Sequence, residues 1–236
     1  MTEHRTTTLP AAAVLVLTAA TGCSVFADPG PDTTEDRAVA GVTSVRLETS
    51  GDLSVGPGDL PQLTVTAGSE VIDRLTSDVE GGVLVLGIDG RVLELGDVHY
   101  FLTLPRLDGL VVDGSGDAEV ASVPTDALSI AVNGSGEVEV SGVAVQELAV
   151  VLAGSGNVET QGTAAVQDVL VEGSGDYDGS SLDSRQATVT VSGSGDADVR
   201  VTGQLTAVVT GSGDIEYTGG AQVTSTVQGS GQVVPS

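Results

Sequence analysis

From Val42 onward apolar and polar residues alternate one by one: Val45, Leu47 and Thr49 fall on one side of an extended chain, Arg46 and Glu48 on the other. A period of two is the mark of a strand with one face buried. Farther along, the alternation keeps step with a fixed signal, Gly-Ser-Gly followed by a polar residue. The signal begins at Gly114, Gly134, Gly154, Gly173, Gly193, Gly211 and Gly229, and subtracting successive positions gives intervals of 20, 20, 19, 20, 18 and 18 residues. The residues six, four and two places before each first glycine are mostly apolar: Leu128/Ile130/Val132, Leu148/Val150/Leu152, Ala187/Val189/Val191 and Leu205/Ala207/Val209. Leu110/Val112, Val169/Val171 and Val223/Val227 keep two of the three. After the signal, Ala118, Val138, Val158, Tyr177, Ala197, Ile215 and Val233 return to the inward parity.

A fixed period with two or three short strands and no helical segment predicts an all-β, single-stranded β-helix (β-solenoid) of about seven to eight coils, each stacked on the last at about 4.8 Å. A sandwich of hairpins fits less well, because hairpins do not repeat one sequence with the same corner in every copy. Glycine is expected at the corners because positive φ costs it nothing. Ser50-Gly51-Asp52-Leu53-Ser54-Val55 reads as a degenerate first copy. Residues 56–104 leave the repeat. Turn chemistry at Gly56-Pro57-Gly58-Asp59 and Gly81-Gly82 separates strands expected near Leu63–Ala67, Val83–Gly87 and Val98–Leu104, with one helical turn at most near Val71–Leu75.

The run from His99 to Asp117, with Leu104-Pro105-Arg106-Leu107 leading into Gly114-Ser115-Gly116-Asp117, resembles the junction of the auto-transporter adhesin head GIN domain family, DUF2807. The similarity covers approximately Val42 to the C-terminus. It implies an exported β-helical envelope protein with a non-catalytic role in binding, adhesion or structure. It brings no catalytic residues with it.

The N-terminus adds an address. His4 and Arg5 precede an apolar run, Ala11–Ala20, too short to span a bilayer. Ala20-Thr21-Gly22-Cys23 resembles the lipobox of bacterial lipoproteins, which implies cleavage after residue 22 and a lipid on Cys23, with Ala20 in the place of the usual leucine. An ordinary secretory signal is the other reading. The domains expected are thus a lipoprotein signal peptide at 1–22, a disordered tether at 23–41 rich in Pro, Asp and Thr, and a β-helical domain at 42–236 whose regular coils occupy 105–236. Cys23 is the only cysteine, so no intramolecular disulfide forms. Two acyl chains would anchor the protein at the cell membrane, facing outward.

Charge sharpens the picture. Lysine is absent and the formal charge is -25, which argues against nucleic acid and points to cations or a basic partner. Much of that charge lies just after the corners. One column reads Asp117, Glu137, Asn157, Asp176, Asp196, Asp214, Gln232; two residues on, a second reads Glu119, Glu139, Glu159, Asp178, Asp198, Glu216, Val234. Period two sends both outward. Carboxylates 4.8 Å apart repel by about 0.9 kcal/mol in water. Either the face is simply solvated, or calcium bridges its carboxylates, Asp117, Glu119, Glu137, Glu139, Asp176, Asp178, Asp196, Asp198, Asp214 and Glu216. A third outward column, with Val111, Val151, Leu170 and Val208, is apolar and offers either a self-association stripe or isolated exposed residues.

Enzymatic chemistry finds little support. His99 is the only histidine beyond the signal segment, and the corner serines do not match Gly-x-Ser-x-Gly. No catalytic residue is assigned. The alternative function is a cation-dependent carbohydrate-binding or carbohydrate-active protein, although few aromatic rings are available for stacking.

Overall fold

The computed structural model describes residues 29–90, 95–122 and 124–236. The signal segment, Cys23 and the first residues of the tether lie outside the described residues. Within them the chain forms seventeen strands and one 3-10 turn, Ile72–Arg74. In chain order the strands are β1 (Asp32–Arg37), β2 (Ser44–Leu47), β3 (Asp52–Pro57), β4 (Gln62–Gly68), β5 (Leu75–Glu80), β6 (Val83–Ile88), β7 (His99–Leu104), β8 (Gly109–Val112) and β9 (Ala118–Val120). There follow β10 (Ala127–Val132), β11 (Val138–Leu152), β12 (Val158–Val171), β13 (Tyr177–Val191), β14 (Ala197–Gly211), β15 (Ile215–Thr218), β16 (Gln222–Gly229) and β17 (Val233–Pro235).

From β8 onward every pairing is parallel and joins one coil to the next, the β-solenoid that the period predicts. The regular stack makes about six turns, against the seven to eight coils expected. Inward columns run unbroken: Leu110, Ile130, Val150, Val169, Val189 and Ala207 are successive register partners, all buried. Bulges between Val140 and Val143, Glu159 and Gln161, and Gly179 and Asp183 absorb the drift in period from 20 to 18 residues.

The N-terminal portion departs from chain order. β2 lies between β6 and β8, and β3 lies between β7 and β9. The chain therefore lays down the β2–β3 coil first and passes beneath it through β4 to β7. Residues 105–108 then cross that coil so that β8 and β9 stack on its other side. The degenerate copy at 50–55 takes its expected place, with Leu53, Ser54 and Val55 opposite Ala118, Glu119 and Val120.

Two expectations need correction. Asp32–Arg37, assigned to a disordered tether, is instead β1, antiparallel to β4. Composition missed it because its stability comes from backbone pairing and from one arginine. Arg37 donates to the carbonyls of Leu75 (2.6 Å) and Ile72 (2.8 Å), and Thr64 Oγ1 donates to Asp36 Oδ1 at 2.8 Å. The corner glycines are also explained differently. Among them only Gly229 has positive φ, at 140°. At Gly154 a Cβ would collide with the carbonyl oxygen of Gly134 directly below, and the same clash recurs from coil to coil. Close approach of stacked backbones demands glycine here, and left-handed φ does not.

Candidate functional site

Each corner is a hydrogen-bonded step. The serine N–H donates to the first glycine's carbonyl in the coil below, as from Ser155 to Gly134 (3.0 Å) and from Ser194 to Gly173 (3.0 Å), and the serine side chain points to solvent. The polar residue after the corner completes the step in both directions. Its carbonyl accepts from the coil below, as Asp196 O does from Tyr177 N–H at 3.0 Å. Its carboxylate accepts from the coil above: Asp196 Oδ1 takes the Asp214 N–H at 2.7 Å, Asp176 Oδ1 that of Asp196 at 2.8 Å and Asp214 Oδ1 that of Gln232 at 2.7 Å. Asp117 does the same for Glu137 (2.7 Å), and Asn157 shows that the amide serves equally, bonding Asp176 N–H at 3.0 Å. At Glu137, one methylene longer, no such bond forms among the described residues. The first acidic column is thus a set of short-side-chain caps joining coil to coil.

The second column is a ladder proper. Glu119, Glu139, Glu159, Asp178, Asp198 and Glu216 are consecutive register partners along the outer face. Their mutual repulsion shows at Asp198. Partial burial pushes its carboxyl above the usual aspartate value, and the charges of Glu216, Asp178, Asp196 and Asp176 add to the shift. Among the described residues no three His, Cys, Asp or Glu side chains converge in a way that could hold a metal ion. The candidate calcium ligands therefore stand as parallel columns, with one oxygen of Asp117, Asp176, Asp196 and Asp214 already bound to a backbone N–H.

Sequence reasoning passed over the lower end of this face. Asp52 continues the first column, its Oδ1 lying 3.4 Å from the Asp117 N–H, and His99 Nδ1 stands 3.7 Å from Asp52 Oδ2. With Ser54, Asp117, Glu119, Glu137 and Glu139 they line an open groove of about 370 Å³. Phe101, 56% exposed, sits beside Ser54 and Thr64 in the second column. The signal for Asp52 was available in the degenerate Ser50-Gly51-Asp52 copy. That for His99 and Phe101 was not, since only the return of β7 beneath β3 brings them alongside.

The apolar outward column also falls into register: Val111, Ala131, Val151, Leu170, Thr190 and Val208 are successive partners, each half-buried.

Fold and outer face together define a repeat-built β-solenoid whose polar groups are spread along columns instead of gathered in a cleft. The chain belongs to the family described as "Putative auto-transporter adhesin, head GIN domain", DUF2807, whose model matches residues 42–221. Solved structures share the fold. A "putative adhesin" from Bacteroides fragilis is 24% identical, with a TM-score of 0.84 over 87% of this chain and 97% of that one. A "putative lipid binding protein" from Parabacteroides distasonis is 23% identical, with a TM-score of 0.70 over 88% and 97%. A "putative adhesin" from the same species is 22% identical, with a TM-score of 0.71 over 88% and 98%. No curated protein matches the chain.

Proposed function

We propose that the protein is a non-catalytic adhesion-type binding module, exported and held at the outer face of the cell membrane by a lipid on Cys23. One observation carries this reading. The second acidic column presents six in-register carboxylates as a flat, repeated surface, which suits many weak contacts with an extended basic partner better than capture of one small substrate. The family description supports surface display. Lipid attachment rests on the sequence around Cys23.

Both parts can be checked together. Wild-type protein is expected in the membrane fraction and the Cys23→Ser variant in the soluble one; equal retention of the two in membranes would remove the lipid anchor. Surfaces coated with the Cys23→Ser chain are expected to retain cells, and Glu119→Gln/Glu139→Gln/Glu159→Gln to weaken that retention. Unchanged attachment would exclude the acidic face as the contact.

A further inference from the structure

We propose that two copies of this chain pair tail to tail through the open edge of β16. Among the described strands, four have a register partner on one side only: β1, β5, β16 and β17. Such edges invite pairing with another chain unless charge, proline or shortness blunts them. β1 carries Asp32, Glu35, Asp36 and Arg37; β5 carries Asp78 and Glu80; β17 is three residues long and ends in Pro235. β16 is the longest of the four at eight residues and has no charge and no proline.

Its surroundings match. In a chain of net charge -25, no Asp, Glu, Lys or Arg occurs from Tyr217 to Ser236, and Gln232 and Val234 replace the acids of both columns in this last coil. Two copies brought together elsewhere oppose like charges; here they meet neutral ends. The coil also leaves inward positions uncovered. Val227 is 44% exposed, and Val223 and Val233 are only partly buried, although their columns are fully buried in the coils below.

An uncharged, uncovered end on an otherwise acidic chain suits a second copy as the occupant, and the sequence of β16 supplies matched pairs for it. Gln222-Val223-Thr224-Ser225-Thr226-Val227-Gln228 reads identically in both directions about Ser225. A two-fold axis through Ser225, with antiparallel pairing, sets Gln222 against Gln228, Val223 against Val227, Thr224 against Thr226 and Ser225 against itself. Each rung then pairs identical side chains, Thr with Thr and Val with Val, and the two-fold repeats every contact in reverse, as in any isologous interface. Because the side-chain period is two, this register keeps Val223, Ser225 and Val227 on the inner side in both copies, so the two cores close over one another.

The test uses the full chain carrying Cys23→Ser, which removes acylation and leaves no other cysteine. Sedimentation velocity is expected to show a monomer–dimer equilibrium that strengthens with salt as the remaining charges are screened. Ser225→Asp sets two carboxylates face to face on the axis and should raise the dimer dissociation constant at least about tenfold; Ser225→Ala should leave it unchanged. Ser225→Cys should cross-link to a covalent dimer on mild oxidation, since antiparallel pairs hold Cα atoms within disulfide range. Ser230→Cys, exposed at the neighbouring corner, should cross-link far more slowly. A strict monomer at millimolar concentration, a dimer indifferent to Ser225→Asp, or equal cross-linking at 225 and 230 would each overturn the proposal.

Discussion

Tyr177 shows what a single departure from the repeat requires. The inward position six places before Gly173 is Gln167, where most other coils have an apolar side chain, and Gln167 is buried. The next coil answers with Tyr177, the largest residue of its column among the regular coils, whose hydroxyl meets Gln167 Nε2 at 2.9 Å and Thr160 Oγ1 at 2.7 Å. Burial pushes the Tyr177 hydroxyl far above the usual tyrosine value, and the two hydrogen bonds oppose that shift only in part. It is therefore a neutral phenol at every pH of interest. Removing only its oxygen strands two buried polar groups, and an unsatisfied buried group costs about 1–3 kcal/mol. Tyr177→Phe is expected to lower stability by about 2 kcal/mol in denaturant titrations. Adding Thr160→Val and Gln167→Leu, which removes the stranded groups, should recover much of the loss.

At the scale of the element, the outer ladder sets backbone capping against charge repulsion. Aspartate and asparagine recur after the corner because their side chains are short enough to reach the N–H of the next coil. Two residues on, Asp198 has acids, Asp178 and Glu216, as both its register neighbours, and it bears the strain. Its folded pKa lies above the ordinary aspartate value of 3.8, which the unfolded chain keeps. Above the folded value both states are ionised and the native state carries the full penalty. As pH falls through the folded value toward 3.8, the native state binds the proton first and stability is gained. Asp198→Asn should therefore raise the melting temperature at pH 7. The advantage should shrink on acidification and vanish below the ordinary aspartate value; an equal gain at all pH values would show that charge is not the cause.

For the whole molecule, a solenoid is held together coil by coil, so damage in the middle separates the ends. Gly154 lies at the middle of the stack and bears on Gly134 with no room for a Cβ. Gly154→Ala should push two coils apart and turn one cooperative denaturant transition into two, or into one with a reduced slope. Ser155→Ala, altering only a solvent-facing hydroxyl, should leave the transition within about 0.5 kcal/mol of wild type. The N-terminal end resists this simple picture. There β2 and β3 are enclosed by segments before and after them in the stack, which ties residues 62–104 to the regular coils by long-range pairing.

Much of this was legible in the residues alone. The inward triplets, the corner positions and the two outward columns follow from a period of two nested in a period near twenty, because each coil repeats the same local environment and so selects the same residue types. The degenerate copy at 50–55 could be placed for the same reason. What the chain order conceals is which backbone lies against which. β1 has the composition of a linker and is a strand only because β4 offers it an edge. His99 and Phe101 reach the acidic face only because β7 turns back beneath β3. Gln167 looks like a flaw in its column until the Tyr177 hydroxyl is set against it. The solenoid, its inner and outer faces and its acidic columns can be read along the chain, since they depend on local periodicity. The crossing of the first coil, the close-packing reason for the corner glycines and the capping role of the aspartates emerge only on folding, since they depend on contacts between backbones far apart in the chain.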